Sequence, residues 1–216
     1  GKGDITNMIR NYIHRCQKDG VKIVMNCEVT PELIKEEKPD SVIIATGSKT
    51  LILPIEGIDN PAIIHGSDLL DGKRAAGKKV LVVGGGMVGC ETAAFLGEQE
   101  HDVTVIEFRD TVGADVIHEH RVYLMKDFED YGIKEITGAK VCKFYEDGVE
   151  YETADGVRHE SRGYDSVILS MGFRNYNPLE EKIKDLVPET HVIGDAIRAR
   201  RALDATKEAY EVASRI

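Results

Sequence analysis

Three glycines, Gly84, Gly86 and Gly89, and one acid, Glu107, have the spacing most suggestive of a defined chemistry in this 216-residue chain. They lie in KKVLVVGGGMVGCETAAFLGEQEHDVTVIE, from Lys78 to Glu107. The pattern predicts a buried strand over Val80–Val83, a glycine turn, a helix over Met87–Glu100 and a second strand over Val103–Ile106. The first glycine of such a turn permits the tight reversal, the second lets a pyrophosphate approach the backbone, and the third lets helix and strand pack closely. The helix start at Met87 and Val88 would then present unpaired N–H groups and a partial positive charge to phosphates. Glu107 follows Gly86 by 21 residues, the separation expected of an acid that accepts from ribose hydroxyls. A glycine triplet alone is common, whereas strand, turn, helix, second strand and terminal acid together point to a dinucleotide.

Other chemistries find less support. A net charge of −10 leaves no basic face for nucleic acid. The local basic cluster Arg198, Arg200 and Arg201 reads as a solvated helix start. The four cysteines, Cys16, Cys27, Cys90 and Cys142, are widely spaced and form no CxxC, which suits a reducing cytoplasm and disfavours both a zinc site and a redox disulfide. Cys90 opens the phosphate-binding helix, where a thiol pKa can fall, yet a small packing residue is the simpler reading. The seven histidines show no metal-ligand spacing, and His118 with His120 reads as a wet helix start. No apolar run reaches the length of a membrane span and no signal peptide is recognisable, so a cytoplasmic protein is expected.

The elements that must position the fingerprint form an incomplete repeat. Asp40–Gly47 (DSVIIATG) and Asp165–Gly172 (DSVILSMG) each enter an apolar strand from an aspartate and leave it at a glycine. Upstream of each lies a matching pair, DGVKI at Asp19–Ile23 and YGIKE at Tyr131–Glu135, each expected to be a helix stop at Gly20 or Gly132 followed by a strand. The helices before them carry apolar stripes: Ile5, Met8, Ile9, Tyr12 and Ile13 in the first, and Val122, Met125 and Phe128 in the second. The second copy adds a β-meander turning near Asp147-Gly148 and Asp155-Gly156. In its place the first copy has a short helix, with Thr30 as N-cap and Pro31 at the first helical position. The first copy has no glycine fingerprint, and its front half is expected to be missing from the chain. The strand HVIGDA and a final helix from about Leu203 to Ser214 read as the returning end of the first domain. The expected division is thus 1–70 with 173–216 for one domain and 71–172 for the other, the second inserted between Leu70 and Phe173, with crossings near Ile58–Pro61 and Asp71-Gly72.

This organisation resembles the α/β, Rossmann-like flavoproteins that carry two dinucleotide-binding domains. The close match is to the C-terminal region of the enoate reductase and 2,4-dienoyl-CoA reductase family, relatives of Old Yellow Enzyme. The resemblance covers nearly the whole chain and rests on CEVTPELIKEEKPDSVIIATGS, LPIEGIDNPAIIHGSDLLDGK, VLVVGGGMVGCETAAFLGE, SMGFRNYNPLEE and HVIGDAIRARRALDATKEAY. It implies an NAD(H) domain, with a parallel sheet and a β-meander, inserted in a truncated FAD domain. Gly84, Gly86, Met87, Val88, Gly89, Glu107 and Gly172 would hold NADH. Thr46, Gly47, Gly194, Asp195 and Leu203 would hold FAD, with Asp195 on the ribityl chain and the last helix pointing its N-terminus at the flavin. Glu91 would either face the nicotinamide or be a solvated helix charge. Glu107 favours NADH over NADPH, because its carboxylate would repel a 2′-phosphate, although Arg109 two residues on works against that preference.

The family's FMN and 4Fe-4S cluster would belong to an N-terminal barrel of the same polypeptide. The implied activity is transfer of a hydride from NADH to FAD and of electrons onward to that barrel, with no protein nucleophile, and the chain alone is expected to be inactive. A free-standing NADH oxidase or ferredoxin-type reductase is the alternative enzyme. A nucleotide-bound scaffold, as in trimethylamine dehydrogenase, is the non-catalytic one. Homo-oligomerisation and the final substrate are left open by the sequence.

Overall fold

The computed structural model describes residues 3–216. In chain order the elements are α1 (Gly3–Lys18), α2 (Pro31–Glu37), β1 (Ser41–Ile44), β2 (Ser48–Thr50), β3 (Ile64–His65), α3 (Gly66–Leu70), β4 (Lys79–Val83), α4 (Met87–Glu98), β5 (Asp102–Ile106), α5 (His118–Asp130), β6 (Lys134–Ile136), β7 (Lys140–Tyr145), β8 (Gly148–Glu152), β9 (Arg158–Arg162), β10 (Ser166–Leu169), β11 (Phe173–Asn175), α6 (Glu180–Ile183), β12 (Glu189–Val192) and α7 (Ala202–Ala213). A single 3₁₀ turn covers Gly194–Ala196.

Five strands form a parallel sheet in the order β3-β10-β4-β5-β6. Its central strand β4 reads KVLVV because both faces of the sheet are covered, and successive side chains point to opposite faces. Val80 and Val82 pack with Leu96, Leu124 and Phe128 of the helical layer. Leu81 and Val83 pack with Val141, Phe144 and Val149 of the antiparallel meander β7-β8-β9. The meander turns as expected, and Gly148 has a packing reason: a Cβ there would lie 2.0 Å from the Ser161 carbonyl oxygen.

The second copy's helical stripe needs one correction. Val122 is exposed, and Leu124 with Phe128, one turn apart, forms the buried row of α5. Four residues is nearly one helical turn, so these two side chains stack on the face that meets α4.

The other half is smaller. β1 pairs in parallel with β12, so the end of the chain does return to the first copy's strand. Ile34, Ile44, Leu179, Ile183 and Val187 fill the core beside that pair. Thr30 caps α2 by accepting from Leu33 N at 3.3 Å, with Pro31 in the first turn.

The strand expected near Val21–Ile23 does not form, although the helix stop before it does. At Gly20 the chain makes paired bonds, Val21 N to Cys16 O at 2.9 Å and Gly20 N to Gln17 O at 3.2 Å. At Gly132 it repeats them, Ile133 N to Phe128 O at 2.9 Å and Gly132 N to Glu129 O at 3.2 Å. These are two copies of one helix-terminating motif. After the second, β6 pairs with β5. After the first, no strand among the described residues offers a ladder partner, so Val21, Ile23, Val24 and Met25 stay exposed. The expected apolar stripe of α1 is likewise about half exposed.

The two halves are linked by a ribbon, β2 antiparallel to β11. Gly47 and Gly172 stand at its two roots and bond reciprocally across it: Gly47 O accepts from Tyr176 N at 3.0 Å and Gly172 O from Leu51 N at 2.9 Å. β3 joins the edge of the five-stranded sheet. Ile55 and Ile58 pack on the meander side of that sheet, and Phe144 N donates to Glu56 O at 2.8 Å. The segment 55–70, expected in the first domain, therefore contacts the sheet and meander of the second. No sequence pattern marks this, because β3 is a two-residue strand whose pairing is entirely non-local.

This asymmetry of burial sets a stability expectation. Ile183 is fully buried and Ile9 is about half exposed. Ile183→Ala should cost roughly 2–5 kcal/mol, and Ile9→Ser no more than about 0.5 kcal/mol, both read by denaturant unfolding of this chain.

Candidate functional site

The glycine turn closes by contact. Gly84 has φ of +103°, and a Cβ there would lie 2.5 Å from the Ser170 carbonyl oxygen at the end of β10. A Cβ on Gly89 would lie 1.8 Å from the Gly84 carbonyl oxygen, so α4 can start directly against the end of β4 only with glycine at both places. Gly86 is the N-cap residue of α4 and has no side chain to cap it.

Carboxylates from elsewhere in the chain reach the turn. Glu107 Oε2 accepts from Gly85 N at 2.6 Å and Oε1 from Arg109 N at 2.9 Å. Asp115, in the loop between β5 and α5, accepts through Oδ1 from Met87 N at 2.9 Å. Cys90 is fully buried beneath the turn, its Sγ 3.2 Å from Gly85 O. Burial pushes its thiol up to about 12, with the negative charges of Asp115, Glu135 and Glu107 acting in the same direction. It is a packing residue. Ser170, 7% exposed, touches the same turn, and its Oγ has no partner among the described residues.

A single cleft of about 830 Å³ runs from this turn to the C-terminal segment. Gly84, Gly86, Met87, Val88, Glu107 and Gly172 line it, as do Asp195, Ser48 and the Arg198, Arg200 and Arg201 cluster. Phe108, Arg109, Met171 and Phe173 also contribute to its wall. Gly89 is buried under the turn and takes no part in the lining. Thr46, Gly47, Gly194 and Leu203 are also outside it. Thr46 Oγ1 donates to Tyr176 O, and Leu203 is well exposed at the start of α7. Glu91 does not face the cleft: its Oε1 is 3.8 Å from His120 Nε2 on α5.

Asp195 is held as Glu107 is. Its Oδ1 accepts from Arg200 N at 3.0 Å and its Oδ2 from Ser48 Oγ at 3.2 Å. Glu208 of α7 steadies this end, accepting from Gly194 N at 2.7 Å and pairing with Arg200 Nη2 at 2.5 Å. The Arg200 hydrogen bond, then that of Gly194, holds the Glu208 carboxyl below the usual carboxylate range. Asp115, Ser48, Ser170 and Glu208 escaped sequence reasoning. Ser48, Ser170 and Glu208 lie inside conspicuous segments without a residue-level signal of their own, Asp115 lies in none, and tertiary structure brings all four to this place. Among the described residues no group of three or more His, Cys, Asp or Glu side chains could hold a metal ion. No helix among them is long and apolar enough to cross a membrane.

A parallel sheet with a glycine turn into a helix, an acid ending the next strand and a deep cleft at the strand ends defines an α/β dinucleotide-binding protein. Residues 3–193 match the family described as pyridine nucleotide-disulphide oxidoreductase, and the chain belongs to that family. It is 30% identical over 218 residues to the cinnamate reductase of Clostridium sporogenes, covering 100% of this chain and 32% of that protein. The NADH oxidase of Thermoanaerobacter brockii is 32% identical over 202 residues, 91% of this chain and 31% of that one. A solved structure of a 2-naphthoyl-CoA reductase with 2-naphthoyl-CoA superposes with a TM-score of 0.89 at 31% identity, covering 99% of this chain and 32% of that one. The chain thus spans about a third of the length of these relatives. Its four cysteines are all free.

Burial of Cys90 has a chemical consequence. At pH 8 a thiol with a pKa of about 12 is ionised to roughly one part in 10⁴, and the thiolate is the reactive form. A thiol reagent applied to the native chain should label exposed Cys27 readily, while Cys90 reacts only after denaturant is added, as peptide mapping by mass spectrometry would show.

Proposed function

We propose that this chain is the nucleotide-handling part of a longer NADH-dependent flavin oxidoreductase of the enoate or 2,4-dienoyl-CoA reductase type. The observation that carries the reading is that the glycine turn, Glu107 and Asp195 all line one cleft. Its size and donors suit a dinucleotide on one side and the ribityl and pyrimidine portion of a flavin on the other. NADH, when bound, supplies the hydride, and FAD accepts it. The protein's part is to hold, orient and exclude water. The amides at the start of α4 would hold the pyrophosphate, and the Glu107 carboxylate would accept from the adenosine ribose, which disfavours a 2′-phosphate and so NADPH. Gly172 and Gly47, with positive φ and open space where a Cβ would stand, would let cofactor rings approach the backbone. Asp195 would accept from a ribityl hydroxyl, and the α7 dipole would stabilise negative charge on a reduced flavin.

The domain reading follows the sheets. Residues 1–54 and 173–216 would form the flavin part, and 55–172 the nicotinamide part, shifting the expected limit at 70 towards the ribbon. A barrel elsewhere in the polypeptide would carry FMN, a 4Fe-4S cluster and the final substrate, and a cytoplasmic setting suits the free cysteines. Similarity to the T. brockii NADH oxidase favours a second reading in which the final acceptor is oxygen. That relative is also about three times the matched length, so the two readings differ in the acceptor and not in this module.

Two outcomes test the proposal. Among the described residues the glycine fingerprint occurs once, so this chain purified alone should be colourless or substoichiometric in FAD while binding NADH weakly. A fully occupied yellow protein would count against the division of labour. In the full-length enzyme, Glu107→Ala should weaken NADH binding roughly 10- to 100-fold, the worth of hydrogen bonds to a charged group, and slow NADH-driven flavin reduction at limiting NADH. An unchanged stopped-flow rate would favour the scaffold reading.

A further inference from the structure

We propose that Asp115 sets the affinity of the nucleotide site by standing in for the pyrophosphate. The inference rests on the dinucleotide reading of the cleft and adds a residue to it. Met87 N is the first amide of α4 and one of those a phosphate would need. It is already engaged by Asp115 Oδ1 at 2.9 Å. A Cβ on Gly86 would lie 3.3 Å from Asp115 Oδ2 and 3.5 Å from Oδ1. The carboxylate thus covers the glycine whose bareness admits the phosphate. A charge-assisted bond at a helix N-terminus is favourable on both counts, and α4 carries neither a side-chain cap nor an acid of its own in its first turn.

The support for Asp115 is rigid and its side chain is free to leave. Val112 and Val116, on either side, are 1% and 8% exposed, and Gly113 N donates to Gly85 O at 2.7 Å. The loop backbone is therefore fixed to the turn, while Asp115 itself is exposed. Rotation of one side chain into solvent, with no loop movement, clears Met87 N. A second, independent observation points to a ligand at this turn: residues 3–193 match the pyridine nucleotide-disulphide oxidoreductase family, and a pyridine nucleotide places its pyrophosphate on a glycine turn of this kind.

Two anions cannot share one amide, so the bound nucleotide displaces the carboxylate. The apparent affinity is lowered by the fraction of molecules in which Asp115 is docked. Removing it should tighten NADH binding by about fivefold to thirtyfold, the range expected for loss of a helix N-terminal carboxylate cap. Asp115→Asn, which keeps an acceptor and loses the charge, should fall between. Adenosine, which has no phosphate, should bind all three forms equally.

The test is calorimetric titration of wild type, Asp115→Ala and Asp115→Asn with NADH and with adenosine, beside thermal unfolding without ligand. The expected signature is a lower unfolding temperature for Asp115→Ala together with tighter NADH binding. A merely structural aspartate would lower both stability and affinity. NADH affinity in folded Asp115→Ala that is equal to or weaker than wild type overturns the proposal. If the alanine variant does not fold, NADH affinity in Asp115→Asn that is equal to or weaker than wild type overturns it instead. Failure of NADH to bind any of the three forms would overturn the dinucleotide reading and take this inference with it.

Discussion

The contact between Gly89 and the Gly84 carbonyl oxygen sets the geometry of the rest of the site. A Cβ on Gly89 would lie 1.8 Å from that oxygen, a distance no side chain survives. With glycine there, α4 begins four residues after β4 ends, and its first amides point out over the C-terminal edge of the sheet. That edge is also where β5 delivers Glu107 and β10 delivers Ser170, because all three strands are parallel and in register. One steric allowance thus gathers a helix terminus and an acid at one mouth. Parallel α/β sheets place ligands at the carboxyl ends of their strands for this reason.

The carboxylates around that mouth follow a common rule: backbone amides hold them. Glu107 takes Gly85 N and Arg109 N, Asp115 takes Met87 N, Asp195 takes Arg200 N, and Glu208 takes Gly194 N. The chain carries a formal charge of −10, and like charges gathered beside one cleft would repel. Fixed amide dipoles offset part of that repulsion, beside the arginines that also line the cleft, and they hold each acid in one orientation. The exception is Glu208, which also has a guanidinium partner in Arg200. It steadies the loop of the arginine cluster, whose charges line the cleft.

What could be read in the sequence was whatever local chemistry decides. The fingerprint, its flanking strands, the Thr30 cap and the two glycine stops are each set within a few residues, and each stands where the sequence placed it. The stops make the limit clear. Cys16–Val21 and Phe128–Ile133 close with the same pair of hydrogen bonds, yet Ile133 is buried and Val21 is exposed. Identical local structure has opposite tertiary fates because only the second copy has a partner strand in β5. For the same reason α1 keeps its apolar stripe at the surface. β3 was illegible for the complementary reason: two residues cannot show a period, and its place at the sheet edge is decided by β10, about a hundred residues away.

The ribbon gives the repeat its physical meaning. Gly47 and Gly172 each come three residues after a parallel strand, each has positive φ, and each carbonyl accepts from the segment that follows the other. Such reciprocity places the two strand ends, β1 and β10, around one shared cleft. The acid at Asp195 follows β12, the neighbour of β1, and the acid at Glu107 follows β5, separated from β10 by β4. The two related halves are thus joined at their strand ends, with Glu107 and Asp195 lining the same cleft. The ribbon takes no part in either sheet, so the joining of the halves there is set by six residues of antiparallel backbone, Ser48–Thr50 with Phe173–Asn175.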